Sequence, residues 1–247
     1  MAGRTYKTEA IVLRSLRFSE ADRILHLYSA RRGRVGAIAK GVRKTKSRFG
    51  ARLEPLSHVE LMLHEGTGEL QTVTGAALVR SHHAAREEPY RLGVGLIAAE
   101  AMLRLFGEPE ANQRAFGALA RFLDLLDEAP VLDPDRPALD PLVLSFQLKL
   151  LWLSGYLPHV TSCVECGGSG GLVGFSARAG GAVCAEHSTD ALRLSAEGVA
   201  GIEQLLSTPL AAAHAAGLSA RARREALAVV TSSYEEHGGF RLRTLSA

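Results

Sequence analysis

Apolar positions in the first third of the chain fall in short runs broken by glycine. Ala10–Leu13, Ile24–Tyr28, Val35–Ala39, Val59–Leu63 and Leu70–Val73 are each strand-length, and Glu65-Gly66-Thr67-Gly68 marks a turn between the last two. Glu9, Arg14, Glu60 and Gln71 lie within or beside these runs, as expected if one face of a sheet is wet. Gly33, Gly41 and Gly50 stand where corners are expected. Five short strands and no long helix predict a small barrel over residues 5–80, and an SH3-like barrel gives much the same pattern.

From Glu87 the period changes to that of a helix. Leu92, Leu96, Ala99, Leu103 and Phe106 share a face over Tyr90–Phe106, and Gly107-Glu108-Pro109 ends that segment. Phe116, Leu119, Phe122, Leu123 and Leu126 repeat the pattern over Ala111–Leu126. A loop holding Pro130, Pro134, Pro137 and Pro141 follows. Leu142–Leu157 is apolar nearly all round, which predicts a central helix of a bundle. Beyond a glycine-rich insert, Ser195 reads as the N-cap of a helix reaching about Ser207. Ala220–His237 is the last helix, with Leu227, Val230, Ser233 and Tyr234 on one face. The fold class expected is therefore α+β and multidomain: a barrel over 1–82, a helical domain in two parts, 83–159 and 191–247, and a knuckle inserted at 160–190.

Charge changes this picture more than composition does. The 247 residues are 47% apolar and 22% charged, ordinary for a globular protein. The net charge of +3 conceals +11 over residues 1–52 and −8 over the rest. Arg31, Arg32, Arg34, Lys40, Arg43, Lys44, Lys46, Arg48 and Arg52 fall within 22 residues that contain no acid. Nine like charges so close repel one another by several kcal/mol unless an anion is near, so a polyanion is the expected partner. Four glycines interrupt the stretch, which reads as turn, short strand and exposed basic loop rather than one helix. These nine residues are the expected contacts, with Arg14 and Arg17 in second rank; Arg241 and Arg243 read as a solvated tail. Glu20–Arg23 and Asp22–Arg ion pairs are expected just upstream.

All three cysteines lie in the insert. Cys163-x2-Cys166 is separated by 17 residues from Cys184-x2-His187, and paired C-x-x-C/H ligands are what a tetrahedral zinc site needs. Four protein ligands close the coordination shell, so one structural Zn2+ per chain is expected. His159 reads as a helix-end histidine. No phosphate-binding GxxxxGK[ST] loop or GxSxG elbow occurs, and Glu165 and Glu186 face a closed site with no position for water; no enzyme chemistry is expected. No apolar run reaches membrane-spanning length and no signal-peptide core occurs, so a cytoplasmic, nucleoid-associated place is expected without membrane contact.

Three separated motifs, in order, resemble one family. They are EAIVLRSLRFSEADRILHLYSARRGRVGAIAKGVRKTKSRFGARLEPLSHVELML at residues 9–63, Cys163-x2-Cys166-Gly with FSAxxGGxxC, and the closing SSYEEHGGFRLRTLSA. Together they are similar to the RecO family of bacterial DNA repair and recombination mediators. The resemblance implies an oligonucleotide-binding (OB) barrel, a helical domain and a zinc knuckle; binding of ssDNA and dsDNA; and annealing of complementary strands. It also implies partnership with RecR and with the C-terminal tail of single-stranded DNA-binding protein (SSB), to load RecA in the RecF pathway. The common family pattern has cysteine where this chain has His187. Arg104, Arg121 and Lys149 are the scattered cations that could receive an acidic tail. Two alternatives from other classes are a zinc-ribbon RNA- or ribosome-associated protein and a protein-binding scaffold.

Overall fold

The computed structural model describes residues 4–133 and 135–245; Pro134 and the last two residues of the closing motif lie outside the described residues. The chain divides into two compact units, the first ending at Ala129 and the second starting at Pro130.

Five strands open the first unit: β1 (Arg4–Phe18), β2 (Asp22–Ser29), β3 (Gly33–Ala39), β4 (His58–Glu65) and β5 (Gln71–Arg80). They close in the order β1-β2-β3-β5-β4, with β3 and β5 parallel and every other pair antiparallel. This is the OB arrangement rather than the SH3-like one. Ala10, Val12, Leu25, Leu27, Val35, Ala37, Val59, Leu61 and Leu63 alternate into its core, and Phe49 and Leu53 plug one end. The first apolar run is unbroken because β1 is buried on both sides: Ile11 and Leu13 point out of the barrel and are still 0% and 2% exposed. Gly33 has φ +62, and a Cβ there would lie 2.1 Å from the carbonyl oxygen of Glu110. Gly33→Ala is therefore expected to cost at least about 2 kcal/mol, read as a lower urea midpoint.

Three helices complete this unit: α1 (His83–Glu87), α2 (Pro89–Leu105) and α3 (Gln113–Glu128). Glu88 caps α2, accepting from the main-chain N–H of Tyr90 and Arg91, and Asn112 caps α3. The face α2 buries is Tyr90, Val94, Ile97, Ala98, Ala99, Ala101 and Met102; of the expected Leu92, Leu96, Ala99, Leu103 and Phe106 only Ala99 is buried, and Leu96 is 36% exposed. The helix is apolar on most sides, so its period alone could not select a face. The selection comes from Gly95, where a Cβ would sit 2.5 Å from Leu56 of the barrel. On α3 all five expected positions are buried. His82, between Leu56 and Asp124, joins the β4–β5 end of the barrel to α3.

The second unit is built on α4 (Pro141–Leu153), buried along nearly its whole surface as its composition predicts. It ends four residues earlier than expected, because Gly155 turns the chain with φ +90. Around it pack α5 (Ala196–Ser207), capped by Ser195, and α6 (Ala220–Gly238). Leu227 is only half-buried; Ala222, Ala226, Val229, Val230, Ser233 and Tyr234 form the inner face of α6. Between α4 and α5 the chain makes a three-stranded sheet, β6 (Leu172–Ser176), β7 (Gly181–Cys184) and β8 (Leu192–Arg193), in the order β7-β6-β8.

Candidate nucleic-acid interface and metal centre

The basic stretch does not form one patch. Strand β3 separates it into two groups, roughly 20 Å apart at the rise of an extended chain. At the β2–β3 turn, Arg31 is exposed. Arg32 is not free: its guanidinium pairs with Glu65 at 2.5 Å and lies 4.2 Å over the Tyr6 ring. Arg34 is half-buried, donates to the Gly107 carbonyl at 3.4 Å, and its main-chain N–H reaches Glu108.

Beyond β3, Lys40, Arg43, Lys44, Lys46, Arg48 and Arg52 are all exposed on the loop to β4. Local contacts shape this loop without neutralising it. Gly41 N–H donates to the Asp22 carboxylate at 2.7 Å, and Arg43 donates to the main-chain oxygen of Glu20 at 2.8 Å. Arg52 donates to the carbonyls of Arg48 and Phe49, and the Arg48 guanidinium lies 4.8 Å over the Phe49 ring. The expected Glu20–Arg23 and Asp22–arginine pairs do not form; Arg23 pairs with Glu54 at 3.1 Å. Asp22 is occupied instead as the acceptor that fixes the loop entry, which sequence spacing could not reveal.

Arg14 and Arg17 are exposed on β1 near the β1–β2 turn. Arg14 stands opposite His26 in the ladder. Burial, then the positive charges of Arg34 and Arg14, holds the His26 imidazole below its usual pKa. The outer face of β1, β2 and β3 therefore carries a positive field. Of the four aromatics in residues 4–60, Tyr28 and Phe49 are buried, Tyr6 lies beneath Arg32, and Phe18 is 47% exposed.

Two groups absent from the expected set join the loop. Leu78 of β5 and Arg86 of α1 line a groove of about 530 Å³ together with Ser47, Arg48, Arg52 and Ser81. Both lie more than 25 residues from the basic stretch in sequence, so no local charge run could include them.

In the second unit, Cys163, Cys166, Cys184 and His187 converge, with their donor atoms all within 4.8 Å of one another. Cys166 Sγ lies 3.9 Å from Cys184 Sγ, and His187 Nδ1 lies 3.2 Å from Cys184 Sγ and 3.7 Å from Cys163 Sγ. The Cys163 turn is closed by main-chain bonds between Cys163 and both Gly167 and Gly168, and Gly167 has φ +74. Cys184 ends β7, and a single 3-10 turn returns His187 to the cluster. Main-chain N–H groups, that of Cys184 foremost, bring the Cys163 thiol down to about 6, so a thiolate is held ready for a cation. Nearby Cys184 raises the His187 pKa in the absence of metal. His159 stays outside the cluster, hydrogen-bonded to Ser162.

The three scattered cations are divided between the two units. Arg104 and Arg121 lie on α2 and α3 of the first unit. Lys149, on α4, gives its ammonium to Ser145 Oγ and to the Leu205 and Leu206 carbonyls at the end of α5. Burial pushes its pKa down to about 8. At the tail, Arg241 pairs with Glu235.

The fold and its two candidate sites define a class: a basic OB-barrel protein that carries a Cys3His cluster able to hold a metal ion in a helical second unit. The family model described as "Recombination protein O N terminal" matches residues 1–82, and "Recombination protein O C terminal" matches residues 86–246. The chain is 40% identical over 226 residues to a protein named DNA repair protein RecO from Rubrobacter xylanophilus, covering 89% of this chain and 88% of the relative. Proteins of the same name from Frankia casuarinae and Anaeromyxobacter dehalogenans are 37% and 34% identical, covering 97% and 96% of this chain and 96% and 92% of the relatives. The chain belongs to the RecO family of DNA repair proteins. No helix among the described residues is long and apolar enough to cross a membrane.

Proposed function

We propose that this chain binds single- and double-stranded DNA along one end of its barrel and anneals complementary strands without ATP. The observation that carries the reading is the exposed, acid-free loop Lys40–Arg52, set beside Arg14 and Arg17 on an OB barrel. Phosphate neutralisation by such a surface releases counterions, so affinity falls steeply with salt. With Phe18 as the one substantially exposed ring among the early aromatics, stacking adds little and the surface accepts any base sequence. Annealing then needs only that two polyanions be held together while their repulsion is screened; pairing of the product drives release. No group has to perform covalent chemistry. Arg31, Lys40, Arg43, Lys44, Lys46, Arg48 and Arg52 are the proposed contacts, with Arg14 and Arg17 beside them. Arg32 and Arg34 are assigned to framing the barrel, since Glu65 and the Gly107–Glu108 loop already engage them.

In the cell this activity is proposed to serve the loading of RecA onto SSB-coated DNA, with RecR and the SSB C-terminal tail as partners. A strand-annealing assay with two complementary oligonucleotides across a salt series, ATP omitted, tests the core of the reading. Acceleration that fades as salt rises is expected; no acceleration by folded, metal-loaded protein would refute it.

The knuckle is proposed to hold one structural zinc ion. Zn–S bonds of about 2.3 Å and Zn–N bonds of about 2.1 Å place tetrahedral ligands roughly 3.5–3.8 Å apart; three donor pairs here stand 3.2–3.9 Å apart, and all four donors lie within 4.8 Å of one another. Zinc binding displaces protons from the thiols and His187, so affinity weakens as pH falls. His187→Cys, which completes an all-thiolate set, is expected to retain the metal, and His187→Ala to lose it to a chelator at least tenfold more readily. Competition with a colorimetric chelator reads both.

A further inference from the structure

The closed barrel is open along half of one strand. β5 pairs with β3 only at Gln71 and Thr72, beside Ala37 and Ile38, and then continues for eight residues with β4 alone. An extra residue, Thr74, opposite Met62 and Leu63 bends the strand at the point where it leaves β3. From Ala77 to Arg80 every residue is exposed, with Leu78 at 45% and Val79 at 48%. Among the described residues, no main-chain hydrogen bond joins Thr74–Arg80 to anything but β4. Free edges of this kind are usually blunted by proline, lysine or a covering loop. Here the neighbouring loop approaches β5 at its Gly50–Leu53 turn, and a groove of about 530 Å³ lies between Ser47–Arg52 and Leu78, Ser81 and Arg86. Arg48, Arg52 and Arg86 line that groove, and no acid does.

We propose that the free edge of β5 receives an extended, acidic segment of a protein partner, which adds to the barrel as a further strand. Main-chain donors and acceptors on the edge repeat every two residues, a spacing that a peptide matches and a nucleotide does not. Leu78 and Val79, the latter the extra residue of a second bulge opposite His58 and Val59, are both exposed and would be covered by apolar residues of the guest. Arg48, Arg52 and Arg86 would meet its carboxylates. Single-stranded DNA fits the groove less well, because Phe49, the ring that lines it, is 2% exposed beneath Arg48 and offers no stacking face. Arg48 and Arg52 also belong to the proposed DNA contacts, so peptide and DNA are expected to compete at this end of the loop.

The test titrates the full chain with a short synthetic peptide alternating glutamate and valine, and with the same peptide N-methylated at alternate amides. N-methylation keeps charge and side chains but removes the donors an added strand needs. The parent peptide is expected to bind, to slow amide hydrogen exchange over Gly75–Arg80, and to lose affinity about tenfold on N-methylation. Arg48→Glu with Arg52→Glu is expected to weaken the parent peptide similarly while leaving the exchange pattern of β1–β4 unchanged. Failure of the parent peptide to bind, equal binding of the N-methylated peptide, or protection of residues other than Gly75–Arg80 would each overturn the proposal. So would an oligothymidylate that protects these amides when the peptide does not, because the occupant would then be nucleic acid.

Discussion

Reversing both charges at Lys44 and Lys46, as Lys44→Glu with Lys46→Glu, lowers DNA affinity roughly hundredfold at moderate salt. It also flattens the plot of log affinity against log salt by about two units. The size follows from the setting of the two side chains. Both are exposed on the loop beyond β3, and neither makes a hydrogen bond or ion pair through its ammonium among the described residues. Their positive charge is thus available to phosphates, and its reversal removes two contacts and adds two repulsions. Neither group is part of the barrel core, so the urea midpoint stays unchanged. Fluorescence anisotropy with a labelled oligonucleotide over a salt series checks both numbers. A variant with the wild-type slope would remove the loop from the interface. The matching variant at Arg32 is expected to behave differently: Arg32→Glu breaks the pair with Glu65 and the stack on Tyr6, and should lower stability rather than the salt slope.

Removing the proposed zinc is the second large effect. Cys163→Ser, or chelation of the wild-type protein, is expected to cost the second unit about 4 kcal/mol at metal concentrations a thousandfold above Kd. Cys163 is the one buried ligand, 1% exposed, and its turn is stitched to Gly167 and Gly168. Its main-chain neighbour Val164 donates to Ala182 of β7. Without a cation, a thiolate already drawn down to about 6 stands beside two other sulfurs, so the knuckle loses its reason to close. The sign with pH is the same: protonation of the thiols and of His187 competes with metal, so the stabilisation is present at neutral pH and lost on acidification. Hydrogen exchange should show β6 and β7 opening first, and metal content measured by emission spectrometry should fall in parallel. An unchanged melting profile after complete chelation would mean that packing of Phe175, Ala182 and Val183 holds the sheet by itself.

Much of the molecule was legible locally. All five strands were located, because alternation and glycine turns report directly on a half-buried barrel, but Ala10–Leu13 is only the middle of β1 and Leu70–Val73 only the start of β5. The Ser195 cap and the five buried positions of α3 were found for the same reason: a single clear apolar stripe has only one way to face a core. Where apolar residues surround a helix, the period carries no direction. On α2 the expected row of Leu92, Leu96, Ala99, Leu103 and Phe106 kept only Ala99 and otherwise lost to the Val94–Ala98–Ala101 side, where Gly95 allows Leu56 to approach closely. The acids Glu20 and Asp22 were assigned to arginine pairs, but Asp22 serves a main-chain N–H of Gly41 instead. A short carboxylate finds a nearby backbone donor more easily than a long, solvated guanidinium.

Sequence by itself determined the existence of the barrel, the excess of positive charge in the first 52 residues and the four Cys and His residues that converge in the knuckle. Each of these depends on residue type and near spacing. Tertiary structure decided which of those charges are available. Only the closed barrel brings Glu65 to Arg32 and the loop before α3 to Arg34, and those contacts withdraw two arginines from solvent. Tertiary structure also decided that β5 outruns β3 and leaves an edge free, and that Arg86 joins Arg48 and Arg52 across a groove. The physical reason is the same in each case. Charge, propensity and ligand chemistry are properties of a residue and its near neighbours, whereas desolvation, pairing and edge exposure belong to whichever distant segment arrives beside it.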